Sequence, residues 1–281
     1  MRIVVIGGMN LDLLGVPDGP LRSRDSTPGK ITLRPGGVGR NIAVQLQALD
    51  AEVSLITALG NDDRAAMLSR LCEASNIDLS LSLPTDCPAP CYLCIHDEQG
   101  DMALGVNDMS AMERLTPEAM AGRMEAVNSA DGCVLDANLP PDTLFYIAQN
   151  AAVPLILDPV SCAKAPRVQA ILHRLTAIKP NRMEAEAMTG ERNVEKAAEA
   201  LLRAGVKNVF ISLGAEGVYY ADAAMRGYAP ARPLRNLPAT GAGDALCAGL
   251  TVSLLRGEGV SRAARAGCEA AYQALLRRNM M

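Results

Sequence analysis

Short apolar runs alternate along this chain with stretches in which apolar residues recur at helical spacing. Runs rich in β-branched residues predict buried strands, and the helical spacing predicts amphipathic helices. Strands and helices that alternate in this way form a parallel sheet with helices on its faces. The predicted strands cover residues 3–6, 53–58, 132–135, 154–157 and 206–213, and the predicted helices cover 39–49, 61–74, 117–127, 141–150, 183–188 and 194–204.

Two stretches interrupt this alternation and predict a small separate sheet. Residues 11–34 are rich in proline and glycine and carry few helical signals. Residues 88–108 contain two extended runs around an acidic turn with Gly100, which is typical of a β-hairpin. A sheet built from these two segments would cover one end of the α/β body as a lid. Because we find no internal repeat and no low-complexity linker, we interpret residues 1–281 as one domain with a lid.

Composition argues against nucleic acids and membranes as partners. The chain has 27 basic and 31 acidic side chains and a net charge of -4, whereas a protein that binds a phosphate backbone needs a basic face. It has no Trp and 2 Phe, too few for a base-stacking platform. No apolar stretch reaches the length of about 18 residues that a membrane span needs, and no secretory signal opens the chain. We therefore expect a cytoplasmic protein with reduced thiols.

The strongest chemical motif is the turn Thr240-Gly241-Ala242-Gly243-Asp244, which precedes an Ala- and Leu-rich helix. Small residues at a helix N-terminus leave backbone N–H groups free to bind an anion. A carboxylate just inside that turn would face the bound anion and could take a proton from an attacking hydroxyl. The alternative interpretation of Asp244 is an ordinary acidic residue in the first turn of a helix.

A second glycine-rich segment covers residues 35–43 and includes Gly36, Gly37 and Asn41. Glycines allow a ligand to approach the backbone closely, and Asn41 lies where it could reach a hydroxyl group. A strand-to-helix turn with a structural asparagine is the alternative. The segment matches neither a P-loop nor a dinucleotide-binding turn.

Two further segments each allow a structural and a functional interpretation. Asn181 and Glu184 have the spacing of a capping box, and the same pair could serve a magnesium ion and its waters. Ser212, Gly214 and Gly217 follow a predicted strand, where they could cradle a nucleotide phosphate or form a plain hairpin turn.

Cys87, Cys91 and Cys94 form a Cys-x3-Cys-x2-Cys pattern. This spacing resembles the iron–sulfur loop of radical enzymes that use S-adenosylmethionine, in which three thiolates leave one iron site open. The alternative is that these cysteines act as small apolar residues of the lid. With two histidines in the chain, His96 and His173, a histidine-based triad or zinc site has little support.

Taken in order, the segments Gly-Gly-x-Gly-x-Asn, Asn-x-x-Glu and Gly-Ala-Gly-Asp resemble the ribokinase-like, or phosphofructokinase B-type, carbohydrate kinases. The resemblance runs over almost the whole chain. It implies a doubly wound, mostly parallel α/β body with helices on both faces and a β-sheet lid. It also implies ATP-dependent phosphorylation of a primary hydroxyl with Mg²⁺.

The resemblance also assigns roles to individual residues. Asp244 would be the catalytic base, and Gly241, Ala242 and Gly243 would form the anion hole with it. The acceptor would be bound by Asp12, Gly36, Gly37, Asn41, Asn107, Asn138 and Asp244. ATP and Mg²⁺ would be served by Lys164, Asn181, Glu184 through water, Ser212, Gly214, Gly217, Gly241 and Gly243.

Residues 25–31, 36–43, 101–109, 135–139 and 158–161 resemble the branch of this family that phosphorylates the 5′-hydroxyl of the nucleoside pseudouridine. Another nucleoside or a free sugar such as ribose, adenosine or fructose is the main alternative acceptor. A nucleoside sensor without turnover is a further one. Pro238 and Ala239 replace residues that help relatives to hold a monovalent cation, so dependence on K⁺ stays open. Lids in this family often pair edge to edge, and the strand at residues 91–96 would be an exposed edge that needs cover, so we expect a homodimer through the lid.

Overall fold

The computed structural model describes residues 1–234 and 240–279, and its elements follow the alternating order that the hydrophobic pattern predicts. The strands are β1 Arg2–Ile6, β2 Asn10–Pro17, β3 Gly29–Gly36, β4 Glu52–Ile56, β5 Ala58–Leu59, β6 Ile77–Asp78, β7 Leu83–Pro84, β8 Cys91–His96, β9 Met102–Asp108, β10 Gly132–Asp136, β11 Leu155–Asp158, β12 Ala177–Ile178, β13 Asn208–Ser212, β14 Val218–Ala221 and β15 Arg226–Ala229. The α-helices are α1 Val38–Gln47, α2 Asp63–Ala74, α3 Pro117–Ala121, α4 Met124–Asn128, α5 Pro141–Asn150, α6 Arg182–Thr189, α7 Val194–Arg203, α8 Ala242–Leu255 and α9 Val260–Asn279. Short 3₁₀ segments lie at Ser110–Arg114, Ala165–Arg174 and Gly214–Glu216.

The main sheet has the order β15-β14-β13-β12-β11-β10-β1-β4-β6 in the described part of the chain. Within this spatial order, the seven strands from β13 across to β6 pair in parallel, and β14 and β15 add an antiparallel edge beside β13. This confirms the predicted α/β class with a mostly parallel sheet. The sequence pattern did not predict β14 and β15, because each is four residues long and neither forms a long apolar run.

Side chains alternate between the two faces of each strand, and both faces of the main sheet are buried. In β1, Ile3 and Val5 face a core shared with α1, α2, α8 and α9. Val4 and Ile6 face a second core shared with α3 to α7. Helix α8 therefore lies on the same face of the sheet as α1.

Helix boundaries follow local sequence signals. Asp62 caps α2 by accepting a hydrogen bond from the Ala65 N–H. The helix predicted over 117–127 is instead two short helices, α3 and α4. Gly122 lies at the break, where its low helix propensity favours interruption.

The lid is a separate four-stranded sheet with the order β3-β2-β8-β9. It is built from the two segments that interrupt the alternation, which confirms the predicted small lid sheet. We expected β8 to be an exposed edge strand, and this was wrong, because β2 pairs with β8 in parallel on one side and β9 pairs with it on the other. The edges of the lid are β3 and β9.

The two faces of the lid differ in polarity. Directly paired residues of neighbouring strands share a face. One face carries aliphatic side chains that are exposed by 39–72%, namely Ile31, Leu33, Leu93, Leu104 and Val106. The opposite face carries a row of paired polar residues, namely Asp12, Arg34, Tyr92 and Asn107.

The position of α8 depends on its close crossing with α9. A Cβ atom added at Gly249 would lie 2.7 Å from the Ala266 carbonyl oxygen and 2.7 Å from the Ala270 Cβ. We expect Gly249→Ala to destabilise the fold by about 1–3 kcal/mol, because the helices must separate to admit the methyl group. Gly122→Ala is the control, since nothing lies within 4 Å of its Cβ position. Urea unfolding that ranks the two variants equally would contradict this account of the crossing.

Candidate active site

The site forms around the N-terminus of α8. The chain enters this helix through Gly241, which has the left-handed φ of 87° that glycine tolerates. In the described part of the chain no side chain caps this end, so its N–H groups are available to an anion. Asp244 lies in the first helical turn, and Ala245 to Ser253 beyond it are buried. The buried residues along α8 thus hold the helix in place, and its N-terminus presents the Asp244 carboxylate and free backbone N–H groups.

The glycine-rich segment at residues 35–43 meets this tip. The Asn41 Nδ2 donates a hydrogen bond of 3.0 Å to the Asp244 Oδ2, although the two residues are 203 positions apart in sequence. Gly37 begins α1 with a φ of 93°, and a Cβ there would collide with the carbonyl of Gly8. The two strongest motifs of the sequence therefore lie in contact.

Buried charges surround Asp244. Burial and, to a smaller extent, the Asp158 carboxylate raise the pKa of Asp244 from its ordinary 3.8 to about 7, although the Lys179 ammonium and the Asn41 amide oppose the shift. The Lys179 Nζ lies 3.1 Å from the Asp158 Oδ2, and both side chains are almost fully buried. A carboxyl group with a pKa near neutrality can accept a proton at physiological pH and release it again.

Two of the residues predicted to bind the acceptor, Asp12 and Gly36, lie in the lid strands β2 and β3. Asp12 accepts a 2.5 Å hydrogen bond from the Asn10 Nδ2, and a Cβ at Gly36 would collide with the Asp12 carboxylate. Burial raises the pKa of Asp12. Asn107 lies on β9 in the same polar row as Asp12, on an exposed part of the lid. The close fit of Gly36 explains why glycine is needed beside Asp12.

Lys164 lies beside Asn138. The Lys164 Nζ donates a 2.5 Å hydrogen bond to the Asn138 Oδ1, and burial lowers the pKa of Lys164. A Cβ at Gly8 would lie 2.6 Å from the Asn138 Nδ2, so the amide nitrogen is turned towards the turn that follows β1. The structure thus groups Lys164 with a predicted acceptor residue, whereas the family resemblance assigned it to ATP.

Asn181 and Glu184 form the capping box of α6. The Asn181 Oδ1 accepts the Glu184 N–H, and the Glu184 Oε2 accepts the Asn181 N–H, both at 2.8 Å. Asn181 also bridges to Ser212 at the end of β13. Gly214 and Gly217 follow in a hairpin turn with φ values of 63° and 106°. The predicted capping box and the predicted hairpin turn are therefore both confirmed, and the bridge from Asn181 to Ser212 places the two motifs next to each other.

The residues fit a hydrated magnesium ion. Burial and the Asp158 carboxylate raise the pKa of Glu184, so a cation nearby would stabilise its charged form. Among residues 1–234 and 240–279, no group of three His, Cys, Asp or Glu side chains is placed to hold a metal. Mg²⁺ usually retains several waters and binds through one or two carboxylates and substrate phosphates. Glu184 and Asn181 would hold it through such waters.

Several residues of the site carried no role in the sequence prediction. Asp136 and Asp158 end β10 and β11, and Lys179 follows β12 directly. Ligands of parallel α/β sheets bind at the carboxyl ends of the strands, so a charged residue directly after a buried run is the signal that could have found them. Asp136 is fully buried and accepts the N–H groups of Gly8, Gly39 and Asn138.

The cysteine pattern does not form a cluster site. Cys91 and Cys94 are three residues apart in β8, so their side chains leave the strand on opposite faces. Cys94 is buried, and Cys87 is partly buried beside the Arg114 guanidinium. Three thiolates that ligate one cluster must point to a common centre, which this strand geometry prevents.

Comparison with known proteins shows that this chain is similar to sugar and nucleoside kinases. Residues 1–281 match the family model described as pfkB family carbohydrate kinase. The chain is 36% identical over 257 residues to pseudouridine kinase of Escherichia coli (strain K12), covering 88% of this chain and 82% of that protein. It is 26% identical to ribokinase of Bacillus subtilis (strain 168), covering 94% and 89%. The solved ribokinase of Thermotoga maritima has a TM-score of 0.87 at 26% identity, covering 98% and 93%.

The raised pKa of Asp244 predicts a cost to stability. Between about pH 4 and pH 7 the group is ionised in the unfolded chain and protonated in the fold, so stability is lost as pH rises to about 7 and changes no further above it. We expect Asp244→Asn to be more stable than wild type at pH 8, by about 1–3 kcal/mol, and equal to it near pH 4. Urea unfolding at both pH values measures the difference.

The exposed exchange Glu98→Gln in the lid turn is the control for this measurement. A stability gain of Asp244→Asn that is the same at pH 4 and at pH 8 would contradict the shifted ionisation of Asp244.

Proposed function

Because this chain belongs to the pfkB family of carbohydrate kinases, we propose that it transfers the γ-phosphoryl group of ATP to the 5′-hydroxyl of pseudouridine. The observation that supports a kinase most directly is the contact of Asn41 with Asp244 at the N-terminus of α8, which joins an acceptor-binding motif to a carboxylate of raised pKa. The choice of pseudouridine is supported by the 36% identity to the Escherichia coli pseudouridine kinase.

In the proposed reaction Asp244 accepts the proton of the 5′-hydroxyl as that oxygen attacks phosphorus. Its raised pKa makes it a stronger base than an exposed aspartate, and deprotonation above about pH 7 makes it available. The N–H groups at the start of α8 donate to the oxygens of the transferred group, where negative charge accumulates. Mg²⁺, when bound, neutralises charge on the phosphate oxygens.

ATP would lie along the turn that follows β13. Gly214 and Gly217 have positive φ values there, and a Cβ at Gly217 would collide with the carbonyl of Ala229. Ser212 and Asn181 adjoin this turn through their bridge, which brings Glu184 close to the same place. The lid would close over the acceptor and exclude water that competes for the phosphoryl group.

A nucleoside base would be recognised by amides. Lys164 holds the Asn138 Oδ1, which leaves the Asn138 NH₂ group to donate to an acceptor such as a base carbonyl. Asn107 could approach the base from the polar row of the lid. A free ribose offers no base carbonyl to these donors, and this favours a nucleoside over ribose.

A panel of acceptors tests the substrate assignment. Pseudouridine, uridine, adenosine, ribose and fructose are each supplied with Mg–ATP, and ADP release is measured. We expect the highest kcat/KM with pseudouridine, because its base carbonyls meet the amide donors. Preference for ribose would overturn the assignment of pseudouridine and would favour the ribokinase-like alternative.

Asp244→Asn is the control for this panel. Its turnover should fall by about 10²–10⁴-fold, the usual contribution of a positioned base. A variant with turnover near wild type would remove Asp244 from the proposed mechanism. Thermal stabilisation of the wild type by pseudouridine without any ADP release would instead support a nucleoside sensor.

The exposed aliphatic face of the lid supports the proposed homodimer. A second copy presents the same aliphatic side chains, so the face is complementary to itself, and its burial would remove a contiguous apolar patch from water. We expect the wild type to sediment as a dimer and Leu104→Asp to sediment as a monomer. Thr32→Asp, which puts the same charge on the other lid face, is the control. A Leu104→Asp variant that stays dimeric would contradict this interface.

The last proposal concerns the surroundings of the enzyme. Pro238 and Ala239, the positions that bear on dependence on K⁺, lie outside the described residues. None of the helices that the structure describes combines the length and hydrophobicity of a membrane span. We propose a cytoplasmic enzyme that acts on small molecules.

A further inference from the structure

We propose that Arg40 is a positioning residue that fixes the side-chain amide of Asn41 and, through it, the carboxylate of Asp244. The Arg40 Nη1 donates to the Asn41 Oδ1 at 3.2 Å, and the Asn41 Nδ2 donates to the Asp244 Oδ2 at 3.0 Å. A guanidinium, an amide and a carboxylate thus form one directed chain of hydrogen bonds. This inference rests on the proposed role of Asp244 in phosphoryl transfer.

The direction of the chain follows from charge. An asparagine amide has an oxygen and a nitrogen of similar size at its tip, and either could face Asp244. When Asp244 is ionised, a cation on one side and an anion on the other permit one orientation, with the oxygen towards Arg40 and the NH₂ group towards Asp244. In the reverse orientation the NH₂ group would meet a guanidinium and the oxygen would meet a carboxylate, and both contacts are repulsive.

Arg40 is itself anchored at the hinge of the lid. Its backbone N–H donates to the Gly8 carbonyl at 3.0 Å, where the chain leaves β1 for the lid. Its Nη1 also lies 3.5 Å from the carbonyl of Pro35, near the end of lid strand β3. One side chain therefore connects the end of a lid strand to the amide that touches the proposed base.

The Arg40 guanidinium also lies beside the buried Cys72 thiol, whose pKa burial raises, and a neutral thiol is a weak partner for a cation. In the described part of the chain, Arg40 forms no ion pair within 4.0 Å, and its buried Nε has no hydrogen-bond partner. A buried unsatisfied donor costs stability. We infer that the fold tolerates this cost because the guanidinium positions the Asn41 side chain.

A double-mutant cycle tests whether Arg40 acts through Asn41. We expect Arg40→Met to lower kcat/KM for the acceptor by about 10- to 100-fold, the usual effect of a lost charged hydrogen bond, and to leave the KM for ATP unchanged. In the Asn41→Ala background the same exchange should lower kcat/KM by less than about threefold, because the group that Arg40 positions is absent. The exposed exchange Arg192→Met is the control and should change neither constant.

Equal losses from Arg40→Met in the two backgrounds would overturn the inference, since a merely structural role is additive. Arg40→Gln keeps a hydrogen-bond donor and should recover part of the lost kcat/KM. It replaces Arg40→Met in the cycle if Arg40→Met folds poorly. The cycle uses the best acceptor from the panel, so failure of the proposed function is recognised separately, as a wild type without turnover. In that case the same cycle on urea unfolding decides: non-additive losses support the Arg40–Asn41 contact, and additive losses reject it.

Discussion

The buried carboxylate of Asp136 is the constraint on which the geometry of this site depends. It lies at the end of β10 and accepts backbone N–H groups from Asn138, two residues further on, and from Gly8 and Gly39, which are 128 and 97 positions away in sequence. A Cβ at Gly7 would lie 2.5 Å from its Oδ2, so the neighbouring backbone must be glycine. Burial raises the pKa of Asp136, and its hydrogen bonds oppose that shift. One side chain thus fixes the connection from β1 to the lid, the start of α1 and Asn138 relative to the sheet.

The site concentrates negative charge that the fold only partly neutralises. Asp136, Asp158, Glu184 and Asp244 lie at the carboxyl ends of the strands or just beyond them, and Lys179 is the buried cation that pairs with Asp158. Such a cluster costs folding free energy, since burial raises the pKa values of Asp136, Glu184 and Asp244 and so disfavours their ionised forms. The same burial raises the pKa of Asp244 to about 7, so the property that lowers stability is the one that the proposed proton transfer requires.

Much of the fold could be predicted from the sequence, because a buried parallel sheet requires long apolar runs and its helices require apolar residues at helical spacing. The errors share a physical cause. β14 and β15 are too short for their pattern to be distinctive, and the break between α3 and α4 depends on one glycine. The position of β8 inside the lid was not predictable, since strand order depends on which segments pair and not on the pattern within a segment.

The sequence by itself determined the α/β class, the two lid segments and the glycine motifs, because composition and periodicity are local properties. Only the tertiary structure decided which motifs meet. It brought Asn41 to Asp244 across 203 residues, grouped Lys164 with Asn138, and separated Cys91 from Cys94 onto opposite faces of one strand. Such contacts depend on the register and order of strands and on the crossing of α8 with α9, which involve residues far apart in the chain. The chemistry of a residue can be read from the sequence, but its partner is decided by packing.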